Sequence, residues 1–131
     1  MTRTATLTLE RVERVFDAVQ PGSVPFKALE GIDLVVEPAQ IVSLVGPSGC
    51  GKSTLLRMVA GFDQPSAGVI RLDDRPIGEP GADRGVVFQQ PQLYPWLNVR
   101  ENVVFGPKKR GVEKARYEAD ARRYIEAVGL A

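Results

Sequence analysis

Short runs of alternating and apolar residues in the first two-thirds of the chain predict strands. Over residues 28–37 apolar and polar positions alternate, which predicts a half-buried strand that ends at a proline. Residues 5–15 are rich in Thr, Leu and Val and predict one or more earlier strands. Two shorter apolar runs predict a strand at residues 69–72 and a short buried strand at residues 85–88.

The run Ile-Val-Ser-Leu-Val at residues 41–45 differs from these because almost every position is apolar. It is too short for a helix and stops at Gly46, so it predicts a strand buried on both faces of a parallel sheet. If its neighbouring strands are missing, such a segment exposes an unpaired edge and two apolar faces, and we then expect the isolated chain to aggregate or to be molten.

Three segments have helical patterns. Residues 52–60 contain good helix formers and are followed by Gly61, a residue typical of a helix C-cap. Residues 98–105 predict a short helix closed by the Gly-Pro pair that follows, and residues 112–128 predict a longer one. The longer helix has apolar residues at spacings of three or four, which predicts a stripe that packs in the core: Tyr117, Ala121, Tyr124, Ile125 and Val128.

The segment GPSGCGKST at residues 46–54 lies between the apolar run and the first predicted helix. It contains the pattern G-x-x-x-x-G-K-[ST], in which glycines allow backbone N–H groups to surround a phosphate. The helix that follows directs its free N–H groups and positive dipole end at the same anion. Lys52 would reach the β- and γ-phosphate oxygens and the Ser53 hydroxyl would ligate Mg²⁺. The pattern predicts a nucleoside triphosphate site.

Composition excludes several other kinds of site. The 131 residues include no His and a single Cys, so the chain cannot form a His/Cys zinc site, a Ser-His-Asp triad or an internal disulfide. Cys50 lies at a variable position of the phosphate loop, where the backbone makes the contacts. The net charge of +1 predicts no general attraction to nucleic acid, and the basic residues near residues 108–123 are typical of a solvated helix face.

Three blocks of the sequence resemble the ATP-binding subunit of ABC transporters. They are GPSGCGKSTLLRMVAG at residues 46–61, PSAGVIRLDD at residues 65–74 and GVVFQQPQLYPWLNVRENVVFG at residues 85–106. The Pro95-Trp96 pair and the following NVRENVVFG are most similar to importers of the nitrate, sulfonate, taurine and bicarbonate group.

The resemblance implies an α/β fold of the P-loop NTPase class, of ABC ATPase type, with an amino-terminal antiparallel β subdomain. In this chain the fold would be incomplete, because residues 1–131 correspond to the amino-terminal half of the ATP-binding domain. We expect the β subdomain and P-loop core over about residues 1–96 and the start of a helical subdomain over about residues 97–131.

The resemblance also implies roles for individual residues. Gln89 would contact Mg²⁺ and the attacking water, since an amide oxygen can ligate a hard cation. Phe16 would stack on adenine, although a Phe at the end of a strand is also an ordinary core residue. The phosphate loop would bind nucleotide through Gly46, Pro47, Ser48, Gly49, Cys50, Gly51, Lys52, Ser53 and Thr54. The segment expected to contact a membrane permease consists of Leu93, Tyr94, Pro95 and Trp96.

By the same resemblance, the cofactors would be ATP and Mg²⁺. The partners would be a transmembrane permease subunit, a second ATP-binding subunit in a dimer and, indirectly, an external solute-binding protein, with no nucleic acid. The protein would be cytoplasmic and peripheral on the inner face of the cell membrane. The complete protein would hydrolyse ATP to energise solute import, and this subunit would not contact the solute.

The sequence departs from the family pattern in two places. At residues 37–40 a Glu-Pro-Ala-Gln turn replaces the more usual Gly-Glu turn, and Ala39 tolerates a positive φ less well than Gly. The LSGGQ-type signature, the Walker B strand and the switch His do not occur in the 131 residues. We therefore expect this chain by itself to bind Mg·ATP weakly without turnover. The alternative is a truncated nucleotide-binding module that docks on a permease or an ATPase partner without hydrolysis.

Overall fold

The structure is a computed structural model that describes residues 5–18 and 23–130. The chain forms two compact units, Met1–Gly85 and Val86–Ala131, and each is described by itself. The elements of the first unit are β1 (Leu7–Phe16), β2 (Phe26–Val36), α1 (Lys52–Ala60), β3 (Ala67–Leu72) and β4 (Arg75–Pro76). Those of the second unit are α2 (Val99–Lys109) and α3 (Lys114–Ala127).

An antiparallel sheet with the strand order β2-β1-β3-β4 forms the first unit. Its three longer strands confirm the strands predicted around residues 5–15, 28–37 and 69–72. The register of β1 against β2 shifts between Leu9 and Val12, where Arg11 has a φ of 44°. The Arg11 N–H there donates a 2.7 Å hydrogen bond to Asp33 Oδ1, so the Asp33 side chain of β2 satisfies the N–H that the irregularity leaves unpaired in the ladder.

The core of the first unit lies between this sheet and α1. Leu55 and Met58 of α1 join five buried apolar side chains in one cluster: Leu9, Val12, Leu29, Ile70 and Ile77. Because α1 begins directly after the phosphate loop, this cluster fixes the loop against the sheet.

Helix α1 has the bounds that the sequence predicts and ends as expected at Gly61, whose φ is 85°. The Gly61 N–H donates to the carbonyl oxygen of Met58, and the next N–H donates to that of Arg57. The Arg57 side chain in turn donates to Asp63, with 2.6 Å between Nε and Oδ2, and this hydrogen bond lowers the pKa of the Asp63 carboxyl. The contribution of the pair to stability is thus present above the ordinary Asp pKa and is lost as the pH falls through the lowered pKa.

Two predicted strands are wrong. Residues 41–45 and 85–88 form no regular element, and both Ile41 and Val45 are 93% exposed. A strand requires hydrogen-bonded neighbours, and in the described part of the chain neither run pairs with the antiparallel sheet. The parallel layer predicted for residues 41–45 is therefore not formed by these residues.

The turn before the apolar run has a positive φ at Ala39, although Ala tolerates this conformation less well than Gly. Ala39 has a φ of 62°, in the left-handed region that favours glycine. The turn is held by two contacts between its ends: the Gln40 N–H donates to the Glu37 carbonyl oxygen, and the Glu37 N–H donates to Gln40 Oε1. These hydrogen bonds offset the strain at Ala39.

Helix α2 begins where the sequence predicts and ends later. Asn98 is its N-cap and forms a reciprocal capping box with Glu101. The helix continues through Gly106 and Pro107, which were predicted to close it. A proline removes only one helical hydrogen bond in the last turn, and the Arg110 N–H still donates to the Gly106 carbonyl oxygen, so the final turn is retained.

Helix α3 confirms the long helix predicted for residues 112–128, but its apolar stripe is not a core. Of the stripe, Ala121 is buried, whereas Tyr124 and Val128 are exposed. The reason is that, among the described residues, the main packing partner of α3 is α2, and one helix covers only a narrow face of another. The prediction of a packed stripe is therefore wrong at these two outer positions.

Candidate nucleotide site

A cavity of about 470 Å³ in the first unit brings together the phosphate loop and the paired ends of β1 and β2. Its lining comprises Phe16, Phe26, Ala28, Ser48, Gly49, Gly51, Lys52, Ser53 and Thr54. The phosphate loop and Phe16 are distant in sequence but line the same cavity.

Two glycines determine the backbone conformation of the phosphate loop. Gly49 and Gly51 have φ values of 83° and 91°, which side chains other than glycine rarely adopt. At Gly51 a Cβ would also lie 2.6 Å from Leu29 Cδ2 and 2.7 Å from the Ala28 carbonyl oxygen. The loop therefore passes too close to β2 for any other residue at this position.

The start of α1 leaves backbone donors available in the cavity. Gly51 is the N-cap and supplies no side-chain hydrogen bond, and the first turn contains no acidic residue. The first helical N–H groups have no partner within a helix, and the helix dipole places partial positive charge there. This end of α1 can therefore hold an anion.

The Lys52 side chain contacts the loop and is placed to contact a bound phosphate. Its ammonium donates hydrogen bonds to the carbonyl oxygens of Gly46 and Pro47, at 2.8 and 2.6 Å, and lies 3.5 Å from Cys50 Sγ. An ammonium has three donors and a thiol sulfur is a weak acceptor, so one N–H can turn to a phosphate oxygen while two hold the loop. Lys52 can thus both close the loop and neutralise a bound phosphate.

The residues predicted to hold the metal lie in different units. Ser53 follows Lys52 on the first turn of α1, is exposed and lines the cavity, and a hydroxyl oxygen suits Mg²⁺. Gln89 belongs to the second unit, where it lies in an exposed segment without regular structure. Its role as a metal ligand stays a prediction. Among residues 5–18 and 23–130, no three His, Cys, Asp or Glu side chains are grouped to hold a metal.

The cavity lining also includes Phe16 and Phe26, a residue that the sequence analysis did not single out. Phe16 ends β1 and pairs in the ladder with Phe26, the first residue of β2. The Arg14 guanidinium lies 4.6 Å from the centre of the Phe16 ring, and Arg14 also donates to the Gln64 carbonyl oxygen. Phe26 was missed because it belongs to no motif, and only the pairing of the strands places it beside Phe16.

The predicted permease segment is an ordered aromatic loop in the second unit. Tyr94 lies with its ring centre 5.4 Å from that of Trp96 and 4.5 Å from that of Phe105. Asn102 of α2 fixes the loop, because its side chain accepts from the Tyr94 N–H and donates to the carbonyl oxygens of Tyr94 and Leu97. Leu93 and the two residues after Tyr94, Pro95 and Trp96, are exposed.

The fold places the chain among the P-loop ATP-binding cassettes. A solved dimeric structure of the ATP-binding cassette MJ0796 in a post-hydrolysis state bound to ADP and Pi superposes with a TM-score of 0.74 at 26% identity, covering 92% of this chain and 56% of that one. A second dimeric structure of the same cassette gives a TM-score of 0.76. The chain belongs to the ABC transporter family, whose sequence profile matches residues 29–131.

Curated relatives show the same membership with higher identity. The taurine import ATP-binding protein TauB of Jannaschia sp. (strain CCS1) is 43% identical over 124 residues, which is 95% of this chain and 46% of that protein. TauB of Burkholderia pseudomallei (strain 1710b) is 50% identical over 104 residues, 79% of this chain and 40% of that protein. The chain thus spans about half the length of the curated relatives it matches.

The part of the chain that the structure describes contains no helix with both the length and the apolar character needed to cross a membrane.

Proposed function

We propose that this chain binds ATP with Mg²⁺ as part of the ATP-binding subunit of an ABC importer. One observation carries the proposal: a single cavity is lined both by the phosphate loop and by two aromatic residues from paired strands. The taurine importer subunits among the relatives support the importer assignment.

Different residues of the cavity bind different parts of the nucleotide. The N–H groups at the start of α1 and the Lys52 ammonium bind the phosphates, and Phe16 contacts the base. Ser53 supplies a hydroxyl oxygen to Mg²⁺, and Gln89 is the second protein ligand proposed from its place in the sequence. When bound, Mg²⁺ neutralises charge on the phosphate oxygens.

In the complete protein we propose that ATP hydrolysis energises solute import through a permease, with a second ATP-binding subunit as the dimer partner. The exposed loop of Leu93, Tyr94, Pro95 and Trp96 would contact the permease. Aromatic side chains make strong interface anchors, and here the Asn102 side chain holds the backbone of the loop by hydrogen bonds. An external solute-binding protein would act indirectly. Such a subunit would be cytoplasmic and peripheral on the inner face of the cell membrane.

Equilibrium titration of the chain with ATP and AMP tests the site. Because the phosphate loop and Lys52 act on the β- and γ-phosphates, we expect ATP with Mg²⁺ to bind at least about tenfold more tightly than AMP. In Ser53→Ala the increase in ATP affinity caused by Mg²⁺ should be smaller, while the affinity for AMP stays unchanged. Thr6→Ala, which removes a hydroxyl outside the cavity, is the matched control.

Equal affinity for ATP and AMP in the unaltered chain would contradict the proposal, and so would an identical Mg²⁺ effect in Ser53→Ala. Phosphate release measured on the same samples addresses turnover. We propose that residues 1–131 by themselves release no phosphate above background, because no Walker B carboxylate or LSGGQ-type segment occurs among them.

A further inference from the structure

The ladder between β1 and β2 places two phenylalanines in the lining of the nucleotide cavity. Phe16 and Phe26 are direct register partners, and directly opposed residues of an antiparallel pair project from the same face of the sheet. Both rings line the cavity that also contains the loop residues from Ser48 to Thr54. The two rings therefore face the same ligand volume.

The two rings differ in what already contacts them. The Arg14 guanidinium lies over the Phe16 ring, which leaves that ring with one face for a ligand and 38% of the residue exposed. Phe26 is 61% exposed. A single exposed Phe needs no explanation on most surfaces, but this one borders a phosphate-binding loop, where an apolar ligand surface would cover it.

The cavity lining combines two kinds of chemistry. The phosphate loop and the start of α1 supply hydrogen-bonding groups and positive charge, in Ser48, Lys52, Ser53 and Thr54. The strands supply Phe16, Phe26 and Ala28, whose side chains carry no hydrogen-bonding group. A nucleoside triphosphate needs both kinds of lining, because it joins charged phosphates to a flat aromatic base.

We propose that Phe26 is a second base-contacting residue, so that the nucleobase is held by two aromatic rings from paired strands. The inference rests on the proposed function of nucleotide binding and adds to it the residue that completes the base end of the site. Stacking on an aromatic ring contributes substantially to the binding of a base without reading its edge. Phe26 therefore acts on affinity for the base and not on affinity for the phosphates.

The test compares Mg·ATP with Mg·tripolyphosphate, which has the phosphates and no base. In Phe26→Ala we expect the dissociation constant for Mg·ATP to rise about 5- to 20-fold and that for Mg·tripolyphosphate to stay within about twofold. Phe26→Tyr retains the ring and should bind Mg·ATP within about threefold of the unaltered chain. Val24→Ala, which shortens an exposed side chain outside the cavity lining, is the control.

The outcomes separate the inference from the proposed function. If the unaltered chain binds neither Mg·ATP nor Mg·tripolyphosphate, the proposed function fails. If it binds both but Phe26→Ala leaves Mg·ATP binding unchanged, or weakens both ligands equally, the proposed function stands and the role of Phe26 is overturned. A loss in Phe26→Tyr as large as that in Phe26→Ala would likewise overturn it.

Discussion

Replacement of Lys52 by methionine is expected to lower the affinity of the chain for Mg·ATP by about 30- to 100-fold. Methionine keeps much of the length of the side chain but removes the positive charge and all three donors. A hydrogen bond from a charged group contributes about 1.5–3 kcal/mol. Here the loss also frees the two carbonyl oxygens, of Gly46 and Pro47, that Lys52 binds at 2.8 and 2.6 Å. Equilibrium titration with Mg·ATP measures the effect.

The control for this substitution is Lys114→Met, which removes the same charge at the start of α3 in the other unit. It should bind Mg·ATP as the unaltered chain does. Amide hydrogen exchange of β1 and β2 checks that the first unit remains folded in Lys52→Met. Binding of Mg·ATP within about threefold of the unaltered chain would show that Lys52 makes no phosphate contact.

Replacement of Met58 by alanine is expected to lower the free energy of unfolding of the first unit by about 2–4 kcal/mol. Met58 is 1% exposed and contributes to the buried cluster between α1 and the sheet, so its truncation leaves a cavity. Leu56→Ala is the matched control on the same helix, because Leu56 is 59% exposed. Its effect should stay below about 1 kcal/mol.

Hydrogen exchange of the β1 and β2 amides measures the stability of the first unit in both variants. Fluorescence would not report on that unit, because every Trp and Tyr of the chain lies in the second unit. Equal destabilisation by Met58→Ala and Leu56→Ala would mean that α1 does not pack on the sheet through the face described. The phosphate loop would then have no fixed support.

Local signals account for the parts of the fold that the sequence predicts well. The bounds of α1 follow from helix formers between a glycine loop and Gly61, and the start of α2 follows from the Asn98 capping residue. Strand β2 follows from its alternation, and β1 follows from its content of Thr, Leu and Val. Each of these signals lies within about ten residues, where the chain itself determines its conformation.

Features that depend on distant partners could not be predicted in the same way. Residues 41–45 have the composition of a buried strand, but a strand forms only beside others, and the described residues provide none for it. Phe26 has no motif of its own and acquires a place in the site only through its register with Phe16. The exposure of Tyr124 likewise depends on how much of α3 its neighbour covers.

The most direct test of the account is a titration of the ¹⁵N-labelled chain with Mg·ATP, followed through the backbone amide resonances. Because the N–H groups of the loop and of the first turn of α1 bind the phosphates in this account, the largest shifts are predicted for residues 48–54, with smaller ones at Phe16 and Phe26. Saturable shifts confined to other residues, or no shifts at millimolar Mg·ATP, would contradict the claim that this loop is the nucleotide site.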